Sequence, residues 1–256
     1  MKTMLKLSFV SALILSSGSL FAASFSDANH VYVDQKETEN EPMYFGEDVK
    51  IVEKANETLQ KSVMALDNIM DDPENSIPTS LISQSEGIVI FPRALKIAFG
   101  TVGGQGARGI AMIRQDDGSW SNPFFVSMGE ASVGIQIGVQ KSDIVLLFKN
   151  KNDVIAIDEA DIMLGSGAGV AAGCVSKGAT SNTDISFDAK IYSYQQSKGL
   201  FAGINLNGGV LSSNDTFNET LYCMGNADTN DIFMEIDAPF NDQVRMLIES
   251  IEMYEE

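Results

Sequence analysis

The sequence contains very little histidine, tryptophan and cysteine: its 256 residues include one His, one Trp and two Cys. The single histidine, His30, lies in a polar, aperiodic segment that does not predict a fixed position for its side chain. A serine or cysteine nucleophile elsewhere in the chain therefore has no histidine to serve as its base. We predict that the protein is not an enzyme, and that it has no cofactor and no metal site.

Basic residues are also scarce, with 17 Lys and Arg against 35 Asp and Glu and a formal net charge of −18. A generic nucleic-acid binder is excluded, because affinity for a polyanion comes from clustered Lys and Arg. The acidic excess is concentrated in residues 24–85 and 226–256, whereas residues 86–225 are nearly neutral. A local basic patch on the middle of the chain therefore remains compatible with the composition.

Long apolar runs are absent, and none approaches the roughly 20 residues that a membrane-spanning helix needs. The longest apolar stretch, at 5–15, follows Lys2 and includes Lys6. Small residues come after it at Ser16–Ser19 and at Ala22–Ala23. This order is typical of a secretory signal rather than a membrane anchor. We predict a signal peptide at 1–23, a flexible acidic lead-in at 24–46, and a periplasmic or secreted protein that is soluble after cleavage.

The two cysteines, Cys174 and Cys223, would be exported to a compartment in which disulfides persist. The sequence does not establish whether their Cα atoms lie close enough to be bridged. A disulfide and a pair of free, buried cysteines both remain open.

Apolar residues recur every three or four positions between 47 and 70, which predicts an amphipathic helix whose apolar face packs on the core. From Gly87 onwards, short apolar segments alternate with turn-like residues, and VIAI at 154–157 continues the series. A second helix is predicted over about 240–254. Many strands without interleaved helices predict an α+β fold with a curled or barrel-like antiparallel sheet, an N-terminal amphipathic helix and a C-terminal helix.

One glycine motif matches a nucleotide-binding fingerprint without its structural context. Gly104, Gly106 and Gly109 have the G-x-G-x-x-G spacing, which in dinucleotide-binding proteins lies between a strand and a helix. Here the residues after Gly109 continue as a strand pattern. The motif therefore favours a glycine-rich hairpin over a nucleotide site.

Ordered motifs across residues 47–225 resemble the SYLF domain family, in its exported bacterial form. The matching segments are Ser83–Pro92, Lys96, Phe99–Gly100, Gly103–Gly106, Trp120–Pro123, Ser132–Gly138, Asp143–Phe148, Ser193–Tyr194, Ser197–Gly203, Leu206, Gly208, Asn218 and Tyr222. The resemblance implies lipid binding, with phosphoinositides as ligands of eukaryotic members, some of which also bind actin. The resemblance ends at about residue 225. Charge and helical spacing predict that residues 226–256 form an acidic C-terminal extension whose helix packs on the domain.

Four basic residues of the middle segment are candidates for contact with a lipid headgroup: Arg93, Lys96, Arg108 and Lys198. Solvated surface charges are the alternative interpretation. The lysines of the predicted N-terminal helix are offset by acidic neighbours, which oppose binding to an anionic leaflet. Cys174 stands where the family usually has a Gly-Pro-Val-Gly-Arg segment.

We therefore expect a non-enzymatic, exported protein that binds a phospholipid headgroup or an acyl chain. The alternative is an envelope protein-interaction module, in which the acidic flanks steer a basic protein partner. Actin is not an expected partner in an exported compartment.

Overall fold

The computed structural model of the chain describes residues 46–72, 76–133, 137–164, 170–172, 189–199, 209–222, 229–234 and 241–255. The predicted signal peptide, almost all of the predicted lead-in, His30, Cys174 and Cys223 lie outside these residues. The predicted signal peptide, domain boundaries and disulfide therefore stay predictions.

Six helices and eight strands occur in the described part of the chain. The helices are α1 (Glu47–Met70), α2 (Thr79–Gln84), α3 (Lys151–Glu159), α4 (Asp215–Tyr222), α5 (Thr229–Met234) and α6 (Asn241–Met253). The strands are β1 (Gly87–Phe99), β2 (Val102–Ile113), β3 (Phe124–Val133), β4 (Gly138–Phe148), β5 (Ile162–Met163), β6 (Val170–Ala172), β7 (Ile191–Gly199) and β8 (Val210–Ser213).

The strands form one curled half-barrel sheet in the order β5-β8-β3-β2-β1-β4-β7-β6. Seven of them pair antiparallel with their neighbours, and β6 joins the edge parallel to β7. The central strands are buried at the end near Gly87, where the core contains Ile88, Ile90 and Phe91. The predicted α+β class, with a curled antiparallel sheet between an N-terminal and a C-terminal helix, is confirmed.

Helix α1 begins with Glu47 and Asp48, whose negative charges interact favourably with the positive end of the helix dipole. One face of the helix is buried over seven residues: Ala55, Thr58, Leu59, Ser62, Ala65, Leu66 and Ile69. This face contacts β1, β2 and β4. The apolar face of α1 is therefore occupied by core packing and is not available to a membrane.

The segment at 154–157 was expected to extend the series of strands, and this expectation is wrong. It lies in helix α3, in which Val154 and Ile157 are buried and the flanking residues are polar. Two apolar residues three positions apart lie on one face of a helix, so the four-residue apolar run fits either structure. A helix therefore separates β4 from β5 along the chain, while the sheet itself is continuous.

The glycine motif lies within strand β2 and is not followed by a helix, in agreement with the hairpin interpretation. A Cβ atom at position 109 would lie 2.2 Å from the carbonyl oxygen of Ile90 and 2.6 Å from Cδ1 of Phe91. Glycine is thus required here because strands β1 and β2 approach closely. The motif serves the packing of the sheet.

Two side chains named in the SYLF resemblance connect α4 to β3. The Asn218 amide accepts a hydrogen bond from the Phe125 N–H (2.8 Å) and donates one to the Phe125 carbonyl (3.0 Å). The Tyr222 hydroxyl donates to the Pro123 carbonyl at 2.6 Å. Because these groups are buried, their hydrogen bonds fix α4 on the sheet.

Candidate functional site

Two neighbouring cavities of about 560 Å³ and about 390 Å³ lie between α1 and one face of strands β1, β2 and β4. Both are lined by Lys61, Arg93 and Lys141, and Arg108 adds a fourth cation to the larger one. We call this pair of cavities, defined by these four residues, the basic cleft. Four different elements supply the four cations, so only the folded chain brings them together.

The side chain of Arg93 reaches the cleft through an irregularity in strand β1. The register of β1 shifts between Phe91 and Ala94 against β4, as it does at a β-bulge. Arg93 has a φ of 55°, a left-handed conformation that is uncommon for a residue other than glycine. The carboxylate of Asp143 accepts the Arg93 N–H at 2.8 Å and the amide of Asn68 at 3.1 Å. Asp143 thus holds the bulge while the Arg93 side chain stays exposed.

Arg108 is fixed by an aromatic ring. Its guanidinium carbon lies 4.1 Å from the centroid of the Phe217 ring, which is cation–π geometry. Burial lowers the pKa of the half-buried Arg108 side chain, because removal of water disfavours the charged form. Its Nε–H has no hydrogen-bond partner among the described residues.

Two acidic residues line the basic cleft, Glu57 in the larger cavity and Asp143 in the smaller one. Glu57 pairs directly with one of the cations. Lys61 donates a hydrogen bond to it and, with smaller contributions from Arg93 and Arg108, lowers the pKa of its carboxyl group. The carboxylate is more than half exposed, so the Glu57–Lys61 pair is a surface contact that a ligand can open.

The predicted headgroup residues occupy different positions. Arg93 and Arg108 line the basic cleft together. Lys96 alternates with the exposed Leu95 and Ile97, so it lies on the opposite face of β1. There it pairs in register with Gln105, whose partner on β3 is Glu130. Lys198 lies opposite Lys141 in the β4–β7 register, and its side chain is outside the described part of the molecule.

Sequence reasoning missed two of the four cations. Lys61 is discounted in the sequence because acidic residues surround it on α1, yet the fold turns it toward the sheet. In the sequence, Lys141 is in a polar segment that resembles a loop between two strands. In the structure it lies inside the long strand β4. The β1–β4 register, which pairs Lys141 with Leu95, is the information that places it near Arg93.

Within the described residues, no helix has the length and apolarity needed to cross a bilayer. The same residues contain no cluster of three or more His, Cys, Asp or Glu side chains suited to a metal ion.

A half-barrel sheet with a preformed cationic cleft fits a binding domain. The comparisons with known proteins agree with this class. A sequence model described as "Ysc84: Las17-binding protein actin regulator" matches residues 129–254. Residues 129–254 thus match the Ysc84 (SYLF) family, and the predicted resemblance to this family is confirmed.

Several curated proteins are similar over part of their length. SH3 domain-containing YSC84-like protein 1 of Bos taurus is 29% identical over 65% of this chain and 49% of its own length. SH3 domain-containing protein PJ696.02 of Schizosaccharomyces pombe is 36% identical over 57% of this chain and 34% of its own. LAS seventeen-binding protein 3 of Saccharomyces cerevisiae is 29% identical over 57% and 32%. The chain therefore spans about half the length of these relatives, or less.

Proposed function

We propose that this domain binds the headgroup of an anionic phospholipid, of the phosphoinositide type, in the basic cleft. The observation that carries the proposal is the convergence of Lys61, Arg93, Arg108 and Lys141 on one cleft in a protein of net charge −18. Nearby cations repel one another, so such a cluster is best satisfied by an anionic ligand.

The chemistry of the lining fits a phosphate group. Guanidinium groups present several N–H donors in a plane and match the oxygens of a phosphate, whereas lysines act as point charges. The larger cavity, at about 560 Å³, is in the usual range for small-ligand pockets of about 300–1,000 Å³.

The predicted signal peptide places this proposal in the envelope or outside the cell. In that compartment the ligand would be a lipid of an exposed leaflet, and actin would not be a partner. The cleft chemistry supports the anionic ligand, and the sequence pattern at 1–23 supports the location.

A protein partner is the second candidate. It is favoured by the name of one relative, LAS seventeen-binding protein 3, and by the acidic segments at both ends of this chain. A basic partner would contact those segments and leave the basic cleft empty, so charge changes in the cleft distinguish the two candidates.

Co-sedimentation of the full chain with vesicles tests the proposal. Arg93→Gln combined with Lys141→Gln removes two cleft cations, and Lys190→Gln combined with Arg245→Gln removes two exposed cations elsewhere. Each cation contributes about 1 kcal/mol at an anionic surface, so the cleft variant should bind anionic vesicles roughly thirtyfold more weakly. The control variant should bind like the wild type.

Equal losses in both variants would contradict a role for the cleft. An additional titration with a soluble inositol phosphate separates a headgroup on a membrane from a free phosphate ligand. Binding to the soluble phosphate alone would overturn the membrane part of the proposal.

A further inference from the structure

Half of the exposed large apolar residues in the described chain lie together at one end of the sheet. They are Leu95, Ile97, Phe99, Val102, Ile137 and Val139, and we call them the apolar tip. The exposed fractions of Phe99, Ile137 and Val102 are 82%, 70% and 66%. A surface of this kind, rimmed by polar groups, is typical of an interaction site.

The apolar tip is built by the β1–β2 hairpin, by Ile137 just before β4 and by Val139 within β4. Phe99 and Val102 pair across a two-residue turn, in which Gly100 adopts a φ of 69°. Ile97 pairs with Val139 in the β1–β4 register. Since cross-strand partners lie on the same face of a sheet, the apolar side chains form one continuous surface.

The basic cleft begins on the same face where the apolar tip ends. Leu95, the last tip residue of β1, pairs with the cleft residue Lys141. Gly106, opposite Leu95 on β2, is two residues from Arg108, so Arg108 lies on this face as well. Moving along the strands from Phe99, the surface is first apolar and then cationic.

This order matches the cross-section of an anionic bilayer leaflet, in which charged headgroups cover the acyl chains. Phe99 lies four residues beyond Leu95, which is about 13 Å along a strand. With Lys141 at the headgroups, Phe99 and Val102 reach the boundary of the acyl chains, about 5–10 Å deep. The cationic cleft beside the tip makes an anionic lipid surface the complementary occupant.

We propose that the apolar tip inserts into the outer part of an anionic bilayer while the basic cleft holds a headgroup. This inference rests on the proposed function and assigns to the β1–β2 hairpin the role of an insertion element. The membrane contact then has two parts, a salt-sensitive one at the cleft and a salt-resistant one at the tip.

Fluorescence quenching tests the insertion directly. Phe99→Trp introduces an indole at the tip, whereas the native Trp120 is buried and paired with Glu255. With anionic vesicles of brominated lipids, we expect the Phe99→Trp fluorescence to be quenched substantially. The matched control is Met246→Trp, at an exposed position of α6, which should not be quenched. Equal quenching of both variants, or of neither while the protein is bound, would overturn the inference.

A binding measurement separates this inference from the proposed function. Ile97→Ser combined with Phe99→Ser should weaken binding to anionic vesicles at least about tenfold, because each buried apolar side chain contributes to the affinity. The remaining binding should be lost at high salt. The control, Met234→Ser combined with Met246→Ser, changes two exposed methionines elsewhere and should bind like the wild type.

Three outcomes count against insertion. If the tip variant binds like the wild type while the cleft variant is weakened, insertion is wrong and headgroup binding stands. If neither variant differs from its control, both proposals fail. If the tip variant changes the oligomeric state and leaves vesicle binding intact, the apolar tip is a contact between copies of this chain.

Discussion

At the scale of single residues, two carboxylates have different roles in the cleft. One stabilises the backbone that forms it, and the other would repel an anionic ligand. Asp143 accepts the backbone N–H of Arg93 and so stabilises the bulge. Glu57 faces the cations and carries the charge that a bound anion would meet. The two acids therefore have different expected effects on binding.

Glu57→Gln should strengthen binding to anionic vesicles by about fivefold at neutral pH, since it removes one repulsive charge and releases Lys61. Because the pKa of Glu57 is lowered, its carboxylate is charged at all pH values above its ordinary value near 4.5. The advantage of the variant should persist as the pH falls from 7 and disappear only below that value. Co-sedimentation with phosphatidylglycerol vesicles across this range measures it.

Glu249→Gln is the control for this change. Like Glu57, Glu249 is an exposed helix carboxylate with an ion-pair partner, but it lies on α6. It alters the net charge equally and should leave binding unchanged. An equal gain in both variants would mean that overall charge, rather than the cleft, determines the affinity.

At the scale of elements, the C-terminal helix holds the long helix that forms one wall of the cleft. Asp67 of α1 accepts hydrogen bonds from the Ser250 hydroxyl (3.3 Å) and the Tyr254 hydroxyl (3.0 Å). Just beyond α6, Glu255 pairs with Arg114 at 2.6 Å and accepts the Trp120 N–H at 2.9 Å. The described C-terminal residues are thus part of the packed structure.

Tyr254→Phe should lower the free energy of unfolding by about 1 kcal/mol, the usual contribution of such a hydrogen bond. Burial and the contact with Asp67 raise the pKa of Tyr254 to about 12, from 10. A raised pKa means that the stabilisation is complete below about pH 10 and is lost as the pH rises through about 12. Denaturant unfolding between pH 8 and 12 should show the wild type and the variant converging. A constant difference would argue against the hydroxyl contact.

The sequence predicted the long helices better than it predicted the continuity of the strands and the short helix between them. Helix α1 and the C-terminal helix have strong periods and were located closely, because one face of each packs on the protein. Only short strand segments were predicted after Gly87, since nothing local shows that a bulge at Arg93 continues β1 as one long strand. Helix α3 was missed because Val154 and Ile157 fit either period.

The candidate site was predictable only in part, for the same reason. Arg93 and Arg108 are in segments whose motifs draw attention to them. Lys61 and Lys141 reach the cleft through the packing of α1 and the register of β4, which are long-range contacts. Strand alternation separates Lys96 from the cleft, and its position also depends on the register beyond the bulge.

At the scale of the whole molecule, charge is distributed so that a cationic cleft exists on a strongly acidic protein. The net charge of −18 repels an anionic membrane at long range, whereas the cleft attracts a headgroup at contact. Repulsion from distant charges is screened beyond a Debye length of about 8–10 Å. Binding should therefore depend on the local cations.

The most direct measurement of this account is the ratio of the wild-type affinities for anionic and zwitterionic vesicles as the salt concentration rises from about 0.05 M to about 0.2 M. Using the ratio removes any contribution that does not depend on lipid charge. We predict a ratio well above one at low salt that falls as salt is added, because the cleft cations contact the headgroup. A ratio at or below one at low salt, or one that rises with salt, would contradict a cationic headgroup site on this domain.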